Sequence, residues 1–153
     1  MAEHILNRKL HLEVPREKVF EFFSDARKLQ EICPPELDFE ILTGLPIDIR
    51  KGTILDYRLH LRGIPIKWQT LISEWDPPYS FIDEALKSPY KQWIHRHVFT
   101  EAEDGGTDIE DIVRYRLPFE PFGEIGLWYV KRELKYIFDY REKVITEHFS
   151  ARM

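Results

Sequence analysis

The C-terminal segment constrains the fold more than any other part of the chain. From Glu124 to about Ser150 it contains no proline and a single glycine, Gly126. Its apolar residues recur at steps of three and four, the spacing of one face of an α-helix. They are Leu127, Val130, Leu134, Ile137, Phe138, Val144 and Ile145. The pattern predicts one amphipathic helix of roughly 40 Å, long enough to cross a whole sheet.

Most of the preceding chain alternates between apolar and polar residues, as half-buried β-strands do. Turn residues such as Gly105 and Gly106 separate these segments. The predicted strands cover residues 4–14, 37–42, 53–62, 66–75, 79–86, 92–101 and 107–117. After the first strand, Pro15 begins one short helix, and Ser24 with Asp25 can cap a second one over residues 26–32.

This order of elements predicts an α+β fold in a single domain, residues 1–153. An antiparallel sheet must bury one face, and the final helix is the only element large enough to cover it. We therefore expect a sheet of about seven strands that curls around the helix and leaves a space between them. The hydrophobic content of 43% and charged content of 32% are those of a globular protein.

Composition excludes several classes of function. The formal net charge of -5 gives no general electrostatic footprint for nucleic acid. Cys33 is the single cysteine, so an internal disulfide is impossible. The N-terminal residues lack the apolar run of a signal peptide, and no stretch approaches the ~20 apolar residues of a membrane span. We expect a cytoplasmic protein without nucleic-acid partners, and the sequence leaves its oligomeric state open.

The segment KQWIHRHVFT carries the most distinctive side chains of the chain. Trp93, His95, His97 and Phe99 alternate along it, so on a strand all four project from the same face. An aromatic surface with polar ends is better suited to a lined cavity than to a dry core.

Other predicted strands add aromatic and acidic residues to the same inner face, and the helix adds a cation. Because one helix cannot touch every inward side chain of such a sheet, some of these residues should face an opening. The predicted ligand-binding residues are Tyr57, Trp68, Phe81, Asp83, Trp93, His95, His97, Asp111, Tyr115 and Arg141. Near the helix start, Trp128 and Tyr129 are candidates to flank the entrance.

Three interpretations fit the two histidines. His95 and His97 could bind one metal ion, with Asp111 as a third ligand if the strand register brings it near His97 instead of Val113. The spacing lacks a distinctive third ligand, so we expect no metal and no other cofactor. The favoured interpretation is a pair of hydrogen-bonded histidines in an aromatic layer, available to contact a ligand. They are also the candidate catalytic residues for acid or base chemistry.

Arg141 interrupts the apolar stripe of the predicted helix. A buried guanidinium needs a carboxylate or several acceptors, and Asp83 and Asp111 occupy apolar register positions in their strands. The residue therefore forms an internal ion pair, extends its charged end to solvent, or anchors an acidic ligand.

Several segments resemble the START-like or Bet v 1-like superfamily, also known as the SRPBCC or polyketide cyclase/dehydrase group. They are PREKVFEFFSD, ISEWDPPYSFID, SPYKQWIHRHVF, GGTDIEDIVRYRLPF and FDYREKVI within the final helix. The resemblance covers nearly the entire chain. It implies a helix-grip fold, in which a curved antiparallel sheet wraps a C-terminal helix around a mainly apolar cavity. The chain lacks a Rieske-type or other iron-binding motif, which removes the oxygenase role found in that group.

The favoured function is binding of a small hydrophobic ligand, aromatic or lipid-like, between sheet and helix. The first alternative is an enzyme similar to polyketide cyclases and dehydratases, in which a pocket histidine moves a proton. The second alternative is a protein-interaction module that uses its outer surface. Fold alone does not decide among them, and a non-catalytic binding protein is favoured over the enzyme.

Overall fold

The computed structural model describes residues 3–44, 47–61, 63–118 and 126–150. It contains an antiparallel seven-stranded sheet and a long C-terminal helix, as the sequence predicts. The strands are β1 (His4–Leu12), β2 (Glu40–Ile41), β3 (Ile54–Leu61), β4 (Ile64–Asp76), β5 (Ser80–Lys87), β6 (Gln92–Glu101) and β7 (Thr107–Arg116). The helices are α1 (Arg16–Phe23), α2 (Arg27–Ile32) and α3 (Leu127–Ser150). None of the helices in these ranges is long and apolar enough to cross a membrane.

The strand order across the sheet is β1-β7-β6-β5-β4-β3-β2. Strands β3 to β7 therefore pair with their neighbours in sequence, while β1 is an edge strand that pairs with β7. Two register shifts interrupt the pairing of β4 with β5, and such bulges bend a strand and increase its twist. The resulting curved sheet and the long helix form the predicted helix-grip arrangement.

Helix α3 packs one stripe of residues toward the sheet. Its buried residues are Leu134, Phe138, Arg141, Ile145 and Phe149, at steps of three and four. Ion pairs from Arg8 on β1 to Asp139 and Glu142 connect the helix to the edge of the sheet. Helix α1 contacts β6, and α2 contacts both α3 and β2.

The β6–β7 hairpin forms at the predicted glycines. Gly105 has a φ of +82°, a conformation that costs little without a side chain. A Cβ on Gly106 would lie 2.3 Å from the backbone carbonyl oxygen of Leu12, so only glycine allows β1 to approach this closely. The hairpin thereby fixes the position of β1 as well as the register of β6 with β7.

Two local predictions differ from the structure. The strand predicted over 37–42 is reduced to the two residues of β2, because a 3₁₀ turn over Pro35–Leu37 and a left-handed Asp38 precede it. The strand predicted over 66–75 begins earlier, because β4 starts at Ile64 with Pro65 opposite His60. The predicted start of the final helix at residue 124 lies outside the described residues.

Candidate functional site

A layer of polar side chains crosses the core between the sheet and α3. Strand β5 contributes Asp83, β6 contributes His95 and His97, β7 contributes Asp111 and α3 contributes Arg141. His95, His97, Asp111 and Arg141 are at most 8% exposed. The side chain of Asp83 is 21% exposed. Charged groups are this deeply buried only when they are paired, so each contact in the layer matters.

Strand register assembles the layer. His97 lies opposite Asp111 on β7, and His95 lies opposite Asp83 on β5, which settles the register that the sequence left open. On each element the neighbouring inward positions belong to hydrophobic clusters. Phe81, Phe99, Ile109 and Ile145 lie on one side of the layer, and Trp93, Val113 and Phe138 lie on the other. The polar layer therefore separates two apolar parts of one core.

The two histidine rings are stacked, with centroids 3.6 Å apart and planes inclined by 25°. Asp83 Oδ2 lies 2.5 Å from His97 Nε2 and 3.9 Å from His95 Nδ1. Asp111 Oδ1 lies 2.8 Å from His95 Nε2 and 3.4 Å from His97 Nδ1. One carboxylate thus flanks each nitrogen-bearing edge of the stacked pair.

These surroundings shift the pKa values of the two histidines in opposite directions. Burial lowers the pKa of His95, and the neighbouring His97 lowers it further. Burial also disfavours the charged form of His97, but hydrogen bonds to Asp111 and Asp83 outweigh burial and raise its pKa. A shared proton therefore resides preferentially on His97. With two carboxylates and Arg141, one imidazolium makes the layer electrically neutral.

Arg141 forms the internal ion pair that was one of the sequence-based interpretations. Its Nη2 atom lies 3.5 Å from Asp111 Oδ1 and 3.5 Å from His97 Nδ1. Burial raises the pKa of the Asp111 carboxyl, but the charge of Arg141 and the histidine contacts hold it well below its usual range. The guanidinium also lies over the rings of Phe23 and Phe138. Its Nε is buried and has no hydrogen-bond partner among the described residues.

A cavity of about 190 Å³ adjoins the polar layer. Eight of the ten predicted ligand-binding residues line it: Tyr57, Trp68, Phe81, Asp83, Trp93, His95, His97 and Arg141. The structure places the other two outside its wall. Asp111 contacts the far nitrogens of the histidines, and Tyr115 packs in the apolar cluster with Val113 and Leu134.

Sequence reasoning missed the wall opposite the sheet. This wall comes from α1, α2 and the segment that follows them, through Phe23, Leu29, Cys33, Leu37, Phe39 and Ile49. Burial raises the pKa of the Cys33 thiol to about 11, so it is an unreactive wall residue at neutral pH. The apolar residues of α2 indicated that one face of this helix is buried, but they did not indicate which side of the cavity that face would form.

A second, larger groove of about 700 Å³ lies at the start of α3. Leu37 lines both this groove and the inner cavity, so the two adjoin at that side chain. Tyr129 lines the groove, in the region where the sequence predicted an entrance. Trp128 is 67% exposed and does not line it among the described residues.

Comparison with known proteins identifies the fold. No protein-family model matches the chain, and no curated protein matches it. Solved structures do match over nearly the whole length. Zhui aromatase/cyclase from Streptomyces sp. R1128 superposes with a TM-score of 0.79 at 11% identity, covering 99% of this chain and 96% of that protein.

Two further structures, of differently named proteins, share the same architecture. A START superfamily protein from Mycobacterium smegmatis gives a TM-score of 0.73 at 11% identity, covering 98% of this chain and 99% of that one. Major latex-like protein 151 from Panax ginseng gives 0.67 at 11% identity, covering 96% and 97%. The helix-grip fold of the START-like and Bet v 1-like group is thereby confirmed for this chain.

Proposed function

We propose that this helix-grip domain binds a small hydrophobic ligand, of about one aromatic ring, in the cavity between sheet and helix. The observation that carries the proposal is an apolar cavity of about 190 Å³ with the polar layer in its wall. Small-molecule sites typically combine apolar walls with a few placed polar groups. An engineered cavity of about 150 Å³ holds benzene, so this one has the size for a single substituted ring.

The polar layer indicates what the ring carries. Asp111 already compensates the charge of Arg141, so a carboxylate ligand would add a third negative charge to a layer that holds Asp83 and Asp111. The buried Nε of Arg141 retains one N–H without a partner among the described residues. Arg141 lines the cavity, so a neutral oxygen acceptor on the ligand, such as a carbonyl or phenol oxygen, would satisfy that donor if the guanidinium turns toward it. We therefore favour a neutral, oxygen-bearing ring over an acid.

Burial of apolar surface supplies most of the expected affinity. A single ring that buries about 200 Å² gains about 5 kcal/mol at 25 cal/mol per Å², before the cost of association. Without the association cost this gain would correspond to a dissociation constant of about 0.2 mM, so an unsubstituted ring should bind in the millimolar range or more weakly. One hydrogen bond of about 1 kcal/mol would tighten binding roughly fivefold.

Isothermal titration calorimetry with benzene, phenol and the four-ring hydrocarbon pyrene tests the proposal. We expect one saturable site for benzene and phenol, tighter binding of phenol, and no binding of pyrene. Ile72 lines the cavity and is buried, so Ile72→Phe should fill it and abolish binding. Ile5→Phe is the matched control, because Ile5 is 65% exposed. Absence of binding to the unaltered protein, or binding unaffected by Ile72→Phe, would refute the proposal.

A second candidate function is acid–base catalysis on a ring-forming substrate. It is favoured by the 2.5 Å contact between His97 Nε2 and Asp83 Oδ2, because a carboxylate that orients an imidazole is a recurring catalytic arrangement. The fold shared with Zhui aromatase/cyclase adds general support. His97→Gln discriminates the two functions: an enzyme loses turnover far more than ligand affinity, whereas a binding protein shows only a modest change in affinity.

The protein-interaction alternative has less support. Residues of β3 to β6 line the cavity, while large exposed hydrophobic residues such as Ile5, Ile64 and Trp128 come from separate elements. Native mass spectrometry of the freshly purified protein distinguishes the classes. A reproducible small bound mass supports ligand binding, and a bound protein without a small molecule supports the interaction role.

A further inference from the structure

We propose that Asp83, His95 and His97 form a binding site for a divalent transition-metal ion, with Zn²⁺ as the expected occupant. One ligand atom from each of the three residues lies within 4.8 Å of the others. Two imidazoles and one carboxylate are a common ligand set of three-ligand zinc and iron sites. The proposal does not depend on the hydrophobic ligand, because it concerns only these side chains.

The donor atoms are placed on one edge of the histidine pair. Asp83 Oδ2 lies 2.5 Å from His97 Nε2 and 3.9 Å from His95 Nδ1. Ligands of a tetrahedral zinc ion with bonds of about 2.0–2.1 Å are separated by roughly 3.3 Å. To bind zinc, the distance from Asp83 to His97 must therefore lengthen by less than about 1 Å, and the distance from Asp83 to His95 must shorten slightly. The two imidazoles must also turn apart, because rings inclined by only 25° direct their nitrogen lone pairs nearly parallel rather than toward one ion.

Asp111 occupies the position of an outer-shell partner. Histidines that bind a metal ion usually donate their other ring N–H to a carboxylate, which fixes the ring orientation. Asp111 Oδ1 lies 2.8 Å from His95 Nε2 and 3.4 Å from His97 Nδ1, on the edge away from Asp83. A single carboxylate can thus orient both rings. The sequence suggested Asp111 as a possible third ligand, whereas the structure assigns that place to Asp83.

The positive charge of Arg141 and the carboxylate of Asp83 lie on opposite edges of the histidine pair, an arrangement that suits a bound cation beside Asp83. Arg141 contacts Asp111 and the Nδ1 side of His97, both on the outer edge of the pair. The proposed metal position lies on the opposite edge, beside the carboxylate of Asp83. With Asp83, Asp111 and Arg141 in the layer, a bound Zn²⁺ would leave one excess positive charge, which an anionic oxygen at the fourth position would balance. Asp83, His95 and His97 all line the cavity, so a fourth coordination position would face it.

Such a site would bind oxygen ligands from the cavity. Zinc sites with three protein ligands keep one position for water or substrate, and the ion polarises a carbonyl oxygen placed there. The chemical class indicated for that position is a small ring compound with a carbonyl, phenol or hydroxyl oxygen.

Metal titration of the full chain, first stripped with a chelator, tests the site. We expect one equivalent of Zn²⁺ to bind by calorimetry, and Co²⁺ to give the visible absorption of a four-coordinate site. Asp83→Asn should weaken binding more than about 100-fold, and Asp111→Asn should weaken it by about 10–100-fold, the range typical of an outer-shell partner. His11→Ala is the matched control. It removes an exposed histidine that also contacts two carboxylates, Asp104 and Asp108, and should leave affinity unchanged.

A measurement on the unaltered protein keeps the test decisive even where a variant fails to fold. Long-range ¹H–¹⁵N spectra resolve the ring nitrogens of the six histidines. Zn²⁺ should shift the signals of His95 and His97 and leave those of His11 in place. Lack of saturable Zn²⁺ binding, shifts confined to other histidines, or a folded Asp83→Asn variant with unchanged affinity would each overturn the proposal.

Discussion

Replacement of Arg141 by alanine should cause a large loss of stability. The guanidinium is 8% exposed and pairs with Asp111, which is 7% exposed. Removal of Arg141 leaves two buried carboxylates, Asp83 and Asp111, that the histidine pair compensates only in part, and breaking a buried ion pair typically costs about 3–5 kcal/mol. Domains have a total stability of about 5–15 kcal/mol, so the variant should lose at least about a fifth of it. For a chain of this length the loss corresponds to a fall in Tm of roughly 6–20 °C.

Urea unfolding followed by circular dichroism measures the effect, and Lys135→Ala is the matched control. Lys135 lies on the same helix and pairs with Asp139, but its side chain is 73% exposed. Exposed pairs four residues apart on a helix contribute about 0.3–0.5 kcal/mol. The two variants should therefore differ by about tenfold in their effect.

A double-mutant cycle isolates the pair. Arg141→Met combined with Asp111→Leu removes both charges, and replacement of a buried pair by apolar residues is often nearly neutral. His95 would then lack one hydrogen-bond partner, so some loss should remain. We expect the double variant to be more stable than the sum of the single losses predicts, by about 1–3 kcal/mol. Additive losses, or a loss under about 1 kcal/mol for Arg141→Ala, would refute the buried ion pair.

Three further predictions concern residues outside the polar layer. Because burial raises the Cys33 pKa to about 11, its thiolate fraction at pH 8 should be about 0.1%, against roughly a quarter for an ordinary thiol. Labelling of Cys33 with maleimide should therefore be slow, and its rate should rise tenfold per pH unit. A labelling rate that does not depend on pH would contradict this prediction. Hydrogen bonds to Asp108 and Asp104 raise the pKa of His11, so Asp108→Asn should lower it in an NMR titration, and an unchanged midpoint would contradict the contact. Gly106→Ala should destabilise the protein more than Gly105→Ala. The new methyl group at position 106 meets a backbone carbonyl of β1, whereas the change at position 105 strains only the backbone angle φ. Equal losses of stability in urea unfolding would argue against the close approach of β1.

The fold could be predicted from the sequence because its determinants are local. Alternation along the strands, the proline-free C-terminal segment and the glycines of the hairpin each specify an element without reference to the rest of the chain. The short β2 strand was overpredicted, since the backbone at Asp38 adopts a left-handed conformation that apolar alternation does not indicate.

The membership of the polar layer was predictable, but its pairing was not. Arg141, Asp83 and Asp111 could be recognised as polar residues at apolar positions of a helix or strand. Which carboxylate faces which histidine nitrogen depends on strand register and ring orientation, and these are tertiary properties. The wall from α2 and Cys33 was missed for the same reason, because nothing in a six-residue helix with two apolar residues specifies the surface that it covers.

A crystal structure determined under xenon pressure tests the central claim most directly. Xenon enters apolar cavities of this size without requiring hydrogen bonds. If the space between sheet and helix accepts small hydrophobic molecules, xenon should occupy it in contact with Trp68, Ile72 and Trp93, which line the cavity. An absence of xenon there, with occupancy confined to the groove beside Tyr129 or to the surface, would contradict the account.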